Sequence, residues 1–271
     1  MNMSEISIIV LSCDRYSDLW QPFFTVFWRN WSDCPFPVYL LSNYQSFNHP
    51  QVNSVQIGED LSWSKGLKQM LEQVQTPYIL LFLEDFFLLE AVDTARVLSY
   101  FDALRQLDGD MLRLKPNPGP NQQVEGFPSI GRISIDALFR VSTQTAIWRR
   151  EFLLKLLQEQ ESAWEFEVKG TDRSRDLGNG FYCTWEPIFN YSHVIERGKW
   201  FRWAARHFGD MEIGCDFTRR KVMTFGDSLK WNDMRIRGQL RMWVLQFLSW
   251  EQRQQLRNLK NRVFRGTKNS A

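Results

Sequence analysis

The chain has 271 residues, 44% hydrophobic and 15% aromatic, with a formal net charge of +2 and four cysteines. That is enough for one large domain or two small ones around a substantial core, and no run approaches the 18 apolar residues of a membrane-spanning helix. Residues 1–12 lack the basic start and small-residue cleavage site of a secretory signal, and Cys13, Cys34, Cys183 and Cys215 form no CxxC pair, so a reduced, cytoplasmic chain is expected.

The small net charge hides an asymmetry. From residue 217 onward, thirteen Lys or Arg face only Asp227, Asp233 and Glu251, and the remainder is net acidic. A tail of this kind meets something anionic or forms a solvated helix face.

In chain order, the β-branched apolar run at 6–11 (ISIIVL) predicts the first strand. It ends in a small polar loop, Ser12-Cys13-Asp14-Arg15-Tyr16. Leu19, Phe23, Phe24, Val26 and Phe27 give 16–30 the apolar face of a helix packed on a sheet. Pro35-Phe36-Pro37 breaks it, 38–41 is the next strand, and a short strand is expected at 52–57 after a loop. Ser62 caps a helix over 63–75, with Leu67, Met70, Leu71 and Val74 on one face.

The run Tyr78-Ile79-Leu80-Leu81-Phe82-Leu83 predicts a strand buried on both faces. Glu84-Asp85 ends it, and Phe86-Phe87-Leu88 turns apolar again. A buried acidic pair without partners costs several kcal/mol. Its natural place is the carboxyl end of a central strand, where open α/β sheets bind ligands; the alternative is a turn or a cap. Asp93 then caps a helix over 94–107. Alternating strands and helices predict an α/β fold with a mostly parallel sheet.

Beyond residue 110 the expectations are a strand at 111–115, a Pro/Gly/Asn/Gln-rich loop at 116–128 and a strand at 138–148. A helix at 151–159 precedes the acidic stretch 161–167, and a polar loop with three glycines covers 169–180. Strand and turn follow over 181–195. The tail shows a helix at 238–250, with Leu240, Trp243, Val244, Phe247 and Leu248 at helical spacing.

No Gly-rich phosphate loop argues for an ATPase or dehydrogenase. Three histidines without HxxxH or Cys/His spacing make no zinc site, and no GxSxG supports a serine hydrolase. What remains is acidic: Glu84-Asp85 and Glu165/Glu167. Trp148, Trp164 and Trp185 are candidate sugar-stacking platforms or ordinary core aromatics.

The order of ISIIVLSCDRY, SWSKGLKQML, YILLFLEDFFL, VSTQTAIWRREFLLKLL and ESAWEFE resembles the GT-A-fold glycosyltransferases, in particular the family-2-like enzymes that build bacterial surface polysaccharides. The likeness covers roughly residues 6–200 and rests on the order of the motifs. It implies a GT-A-like, Rossmann-like mixed sheet over 1–215, with a nucleotide-sugar half (1–110), an acceptor half (111–215) and a helical basic extension (216–271). It also implies a nucleotide-sugar donor held by Ser12, Asp14, Arg15, Tyr16, Lys65, Glu84 and Asp85, and a glycan or lipid-linked acceptor near Gln144, Trp148 and Trp164. Divalent Mg²⁺ or Mn²⁺ would bind at Asp85.

The pattern departs from the family at one position. Phe87 stands where the second Asp of Asp-x-Asp belongs, which leaves Arg197 and Lys199 as alternative partners of the diphosphate, or as a plain surface turn. The resemblance implies an inverting displacement with Glu165 or Glu167 as general base. Glu165 is favoured because Trp164 would shield it and raise its pKa; otherwise both are ordinary acids at a helix start. The basic, Trp-bearing tail suits an anionic membrane surface or a helix packed on the domain. The alternatives are a non-catalytic sugar or nucleotide binder that keeps the fold, a nucleic-acid protein using the tail, and a glycoside hydrolase, the last two weaker.

Overall fold

A computed structural model describes residues 5–59 and 61–266, and the side chains among them except those of 258 and 260–266. Residues 1–4, on which part of the signal-sequence expectation rests, and Lys268 of the basic tail lie outside the described residues, as do the side chains of Lys260, Arg262 and Arg265.

The apolar run at the start forms β1 (Ile6–Leu11), with all six residues buried. Its parallel neighbour is β4 (Tyr78–Leu83), in register from Ile6 opposite Tyr78 to Leu11 opposite Leu83. On the other side lie β2 (Val38–Ser42) and β3 (Val52–Gln56), also parallel. Beyond β4 the same sheet adds β9 (Ala146–Arg149), β6 (Met111–Arg113), β10 (Phe181–Thr184), β8 (Ile130–Arg132) and β7 (Gln122–Gln123), giving nine strands in the order β3-β2-β1-β4-β9-β6-β10-β8-β7. β9 runs antiparallel to both β4 and β6. The expected mixed, mostly parallel sheet is therefore present, and the strands beyond residue 110 continue the sheet begun by β1 to β4.

Helices α1 (Ser17–Asn30), α2 (Trp63–Gln73) and α3 (Thr94–Gln106) stand where expected. The Ser62 hydroxyl accepts the Lys65 N–H at 3.1 Å and the Asp93 carboxylate accepts that of Arg96 at 3.0 Å, satisfying orphan donors at two helix starts. Phe27 of α1 packs edge-on against Phe82, joining helix and sheet in one aromatic core.

Between residues 138 and 180, three expectations need correction. The strand at 138–148 shrinks to β9, because the backbone before it bonds to side chains instead of to a ladder. Arg113 donates to the carbonyls of Phe139 and Arg140, and Thr143 N donates to Glu167. The helix expected at 151–159 is α4 (Arg150–Leu156). The polar loop at 169–180 is instead mostly helix, α5 (Ala163–Leu177), opened by a Ser162/Glu165 capping box. Gly170 does not break it and lies on the buried face of the helix with Phe166 and Ser174.

A two-stranded ribbon pairs β5 (Phe86–Leu88) with β11 (Tyr191–His193). The hairpin of β12 (Ile195–Glu196) and β13 (Lys199–Trp200) turns on Arg197 and Gly198, with φ of 50° and 75°, the positive pair a two-residue turn requires. Helix α6 (Arg202–Gly209) follows. The first compact unit ends at Met223 and leaves out Asp136–Leu138, which group with the second; within it Val222 bridges to Trp200 and Arg220 pairs with Asp18. The second unit holds α7 (Phe225–Leu245) and α8 (Trp250–Gly266), two helices in place of the one expected at 238–250. No described helix is long and apolar enough to cross a membrane.

Candidate functional site

The chain leaves β1 toward β2 on one side, while β4 takes the other, so the strand order reverses between them. Such a reversal opens a crevice beyond the carboxyl ends of the two strands. Leu11 faces Leu83 at its edge, so the loop after β1 and the Glu84-Asp85 turn share the crevice.

Glu84 carries the strongest electrostatic signature there. Its pKa is pushed up to about 8, first by burial and then by the neighbouring Asp85, with a backbone N–H and the Arg220 charge pulling the other way. At neutral pH the carboxyl thus holds its proton. The Tyr16 phenol is also raised, by burial first and then by Glu84, with Arg220 opposing. The Arg220 guanidinium lies 4.3 Å above the Tyr16 ring and pairs bidentately with Asp18 at 2.7 and 2.8 Å. It also donates to the carbonyls of Arg15 (2.8 Å) and Gly198 (3.3 Å). One cation therefore ties the loop after β1, the first turn of α1 and the hairpin turn together.

On the other flank, the β5–β11 ribbon sets the His193 Nδ1 3.5 Å from Asp85 Oδ2. His193 Nε2 lies 3.5 Å from the Gln144 amide nitrogen, and the Gln144 carbonyl accepts the Tyr191 hydroxyl at 2.7 Å. The ring thus lies between Asp85 and Gln144, with one nitrogen toward each. The residue before Gln144, Thr143, donates its N–H and hydroxyl to Glu167 Oε1 at 2.6 and 2.8 Å. Polar contacts thus run from Asp85 to Gln144 and, one residue along the chain, to Glu167.

The nominated residues divide. Tyr16, Glu84 and Asp85 come together. Ser12 lies in the loop beside them, its hydroxyl accepting from Trp20 at 2.8 Å. The Asp14 carboxylate accepts the backbone N–H groups of Asn43, Tyr44 and Gln45 at 2.9, 3.1 and 3.2 Å, so it clamps the loop after β2. Arg15 projects to solvent, and the Lys65 charge acts on Glu159. Arg197 is exposed on the hairpin, 3.8 Å from Glu196, and Lys199 is half-buried next to it.

Two expectations fail. Trp148 is fully buried, packed on Phe166 and Phe181, and offers a sugar no face. The raised pKa expected for Glu165 is reversed: Trp164 beside it is 62% exposed and shields nothing. Bonds from Ser162 and Lys169 hold the carboxylate down at about 2, which makes Glu165 a helix cap and a poor base. Trp164 itself keeps an open face and touches Phe139. Sequence reasoning missed Asp18, His193 and Arg220. Arg220 was visible only as half of an Arg-Arg pair in a basic tail, and nothing local marked the other two.

Mg²⁺ and Mn²⁺ take oxygen donors. Glu84 and Asp85 supply two carboxylates, and among the described residues no group of three His, Cys, Asp or Glu could hold an ion. A half-buried pair in which one carboxyl keeps its proton suits a cation shared with a ligand's own oxygens better than a closed protein cage. Phe87 is fully buried against Phe23, Trp200 and Phe208, so its side chain points away from the pair.

No family model matches the chain, and no curated protein matches it. Solved structures resemble parts of the chain. S. aureus TarS 1–349 in complex with UDP-GlcNAc is 13% identical, with a TM-score of 0.50, over 71% of this chain and 59% of TarS. The mannosyltransferase PcManGT from Pyrobaculum calidifontis, in complex with GDP-Man and Mn²⁺, is 12% identical with a TM-score of 0.49, over 72% of this chain and 58% of its own. The matched region thus spans less than two thirds of either protein. The architecture is GT-A-like, as the sequence resemblance implied.

Proposed function

We propose that the chain moves a sugar from a nucleotide-sugar donor to a hydroxyl of a glycan or lipid-linked acceptor, inverting the anomeric centre in a single displacement. One observation carries this reading: the Glu84-Asp85 carboxyl pair stands at the strand-order reversal of a GT-A-like sheet, flanked by the buried Arg220. A neutral Glu84 spares the empty site two adjacent like charges, and it gives up its proton when donor and cation enter. Tyr16 offers a hydroxyl donor, and Arg220 holds the loop that carries it. Arg197 and Lys199 reach the donor phosphates from the hairpin fastened to Arg220. A divalent cation held by Asp85 and Glu84 would neutralise charge on the leaving diphosphate.

Glu167 is the base in this reading. Thr143 fixes one oxygen with two hydrogen bonds, which orients the carboxylate toward an acceptor hydroxyl. Gln144 and Trp164 line the acceptor side. Calorimetric titration with UDP-, GDP- and TDP-sugars, with and without Mn²⁺, tests the donor. Binding should weaken at least tenfold in Asp85→Asn, and Glu167→Gln should abolish donor hydrolysis while keeping donor affinity. If no donor in the panel binds, the reading fails.

The core-facing Phe87 favours a second reading, a nucleotide-sugar binder without chemistry. Donor binding with no hydrolysis or transfer in the wild type would select it.

A further inference from the structure

Helix α7 buries none of its 21 residues. At 100° per residue, Phe225, Leu229, Ile236, Leu240 and Trp243 fall within an arc of about 60° and form a stripe about 27 Å long. Each is more than half exposed, from 52% at Ile236 to 68% at Phe225. Isolated exposed apolar residues need no explanation, but a contiguous stripe on a full helix marks an interaction surface. Lys230, Arg237 and Arg241 rank along one flank of the stripe and Arg235 along the other, all exposed.

We propose that α7 lies in the interface of an anionic lipid bilayer, with this stripe among the acyl chains and the flanking cations at the headgroups. The pattern is that of an interfacial helix: an apolar face, basic residues beside it, and too little overall hydrophobicity to span. Charge selects the occupant. The region from residue 217 onward carries thirteen Lys or Arg against three acids, so a second copy would bring the same positive excess against itself. A surface of anionic headgroups attracts each basic residue near it. Of the two acids on α7, Asp227 is engaged in the capping box with Thr224 and Asp233 pairs with Arg237 at 3.0 Å. Nucleic acid would meet the cations but leave the stripe in water. The placement does not depend on the transfer reading; if both hold, the acceptor is presented at a lipid surface.

Co-sedimentation of the full-length protein with vesicles tests the proposal. Vesicles of 30% phosphatidylglycerol in phosphatidylcholine should bind the protein at least tenfold more tightly than pure phosphatidylcholine. Leu240→Ser/Trp243→Ser should lower that binding at least tenfold, with the far-UV circular dichroism and thermal transition unchanged, as expected for exposed positions. Lys230→Gln/Arg237→Gln/Arg241→Gln should remove the preference for anionic vesicles. Equal binding to both vesicle types, or anionic binding untouched by the stripe variant, would overturn the proposal. So would a dimer in light scattering that the stripe variant splits, or a DNA duplex that outcompetes the vesicles.

Discussion

Asp18, in the first turn of α1, and Arg220, 202 positions later, close a bidentate ion pair at 2.7 and 2.8 Å with both side chains almost fully buried. This contact draws the segment 216–223 back onto the crevice. Removing one partner leaves the other as an unpaired buried charge, so Arg220→Met should cost about 3–5 kcal/mol in urea-induced unfolding. Arg220→Lys should recover only part of that, because an ammonium cannot reproduce the fork that reaches Asp18 and two carbonyls. Equal midpoints for wild type and Arg220→Met would show that the pair is not formed in solution.

Glu84 gives the fold a pH dependence of known sign. Its folded pKa of about 8 lies above the ordinary 4.5 because burial disfavours the charged form. Its contribution is fully present below pH 4.5 and is lost as pH rises through about 8, where a buried charge must form. Unfolding free energy should therefore fall between pH 5 and pH 8 in the wild type and fall less in Glu84→Gln. Parallel pH curves for the two proteins would mean that Glu84 is ionised throughout. Adding a donor with Mn²⁺ at pH 7 should release a proton in the wild type, measurable from the buffer dependence of the binding heat, and none in Glu84→Gln.

How much of this was legible depended on the range of the interaction. The strand at 78–83 and its acidic end could be read locally, because burial on both faces leaves a continuous apolar run. The helix caps Ser62 and Asp93 were legible for the same reason. The Asp18–Arg220 and Asp85–His193 pairs were not, since each joins segments more than a hundred residues apart and neither leaves a local pattern. Helix α5 was missed because its interior glycine reads as a breaker, whereas Gly170 is buried inside the helix. Trp148 carried no sign of burial beyond its place in a strand that proved central.

The two glutamates of the second acidic motif should separate cleanly. Glu165 is held at about 2 by Ser162 and Lys169, below its ordinary 4.5. The stability this gives is present above pH 4.5 and disappears as pH falls through about 2. Thermal unfolding of the wild type should lose more between pH 5 and pH 2 than that of Glu165→Gln, while turnover at pH 7 barely changes in the variant. Glu167→Gln should instead lose at least a hundredfold in turnover, the scale of a missing general base. Equal turnover losses at both positions would return Glu165 to the chemistry.

Restoring a second carboxylate at position 87 should not create a metal ligand. Phe87 is fully buried among Phe23, Trp200 and Phe208, whereas Phe86 faces the other way and stacks on Tyr191 at 4.5 Å. Successive strand residues alternate, so an Asp at 87 enters the aromatic core and not the crevice with Asp85. Phe87→Asp should lose the aromatic packing and bury an unpartnered carboxyl, a cost of about 3–5 kcal/mol for the lost ring alone. Phe87→Leu should cost less and leave Mn²⁺ dependence as in the wild type. Tighter Mn²⁺ binding by a folded Phe87→Asp would instead mean that the β5–β11 ribbon can turn its side chains over and that position 87 belongs to the site.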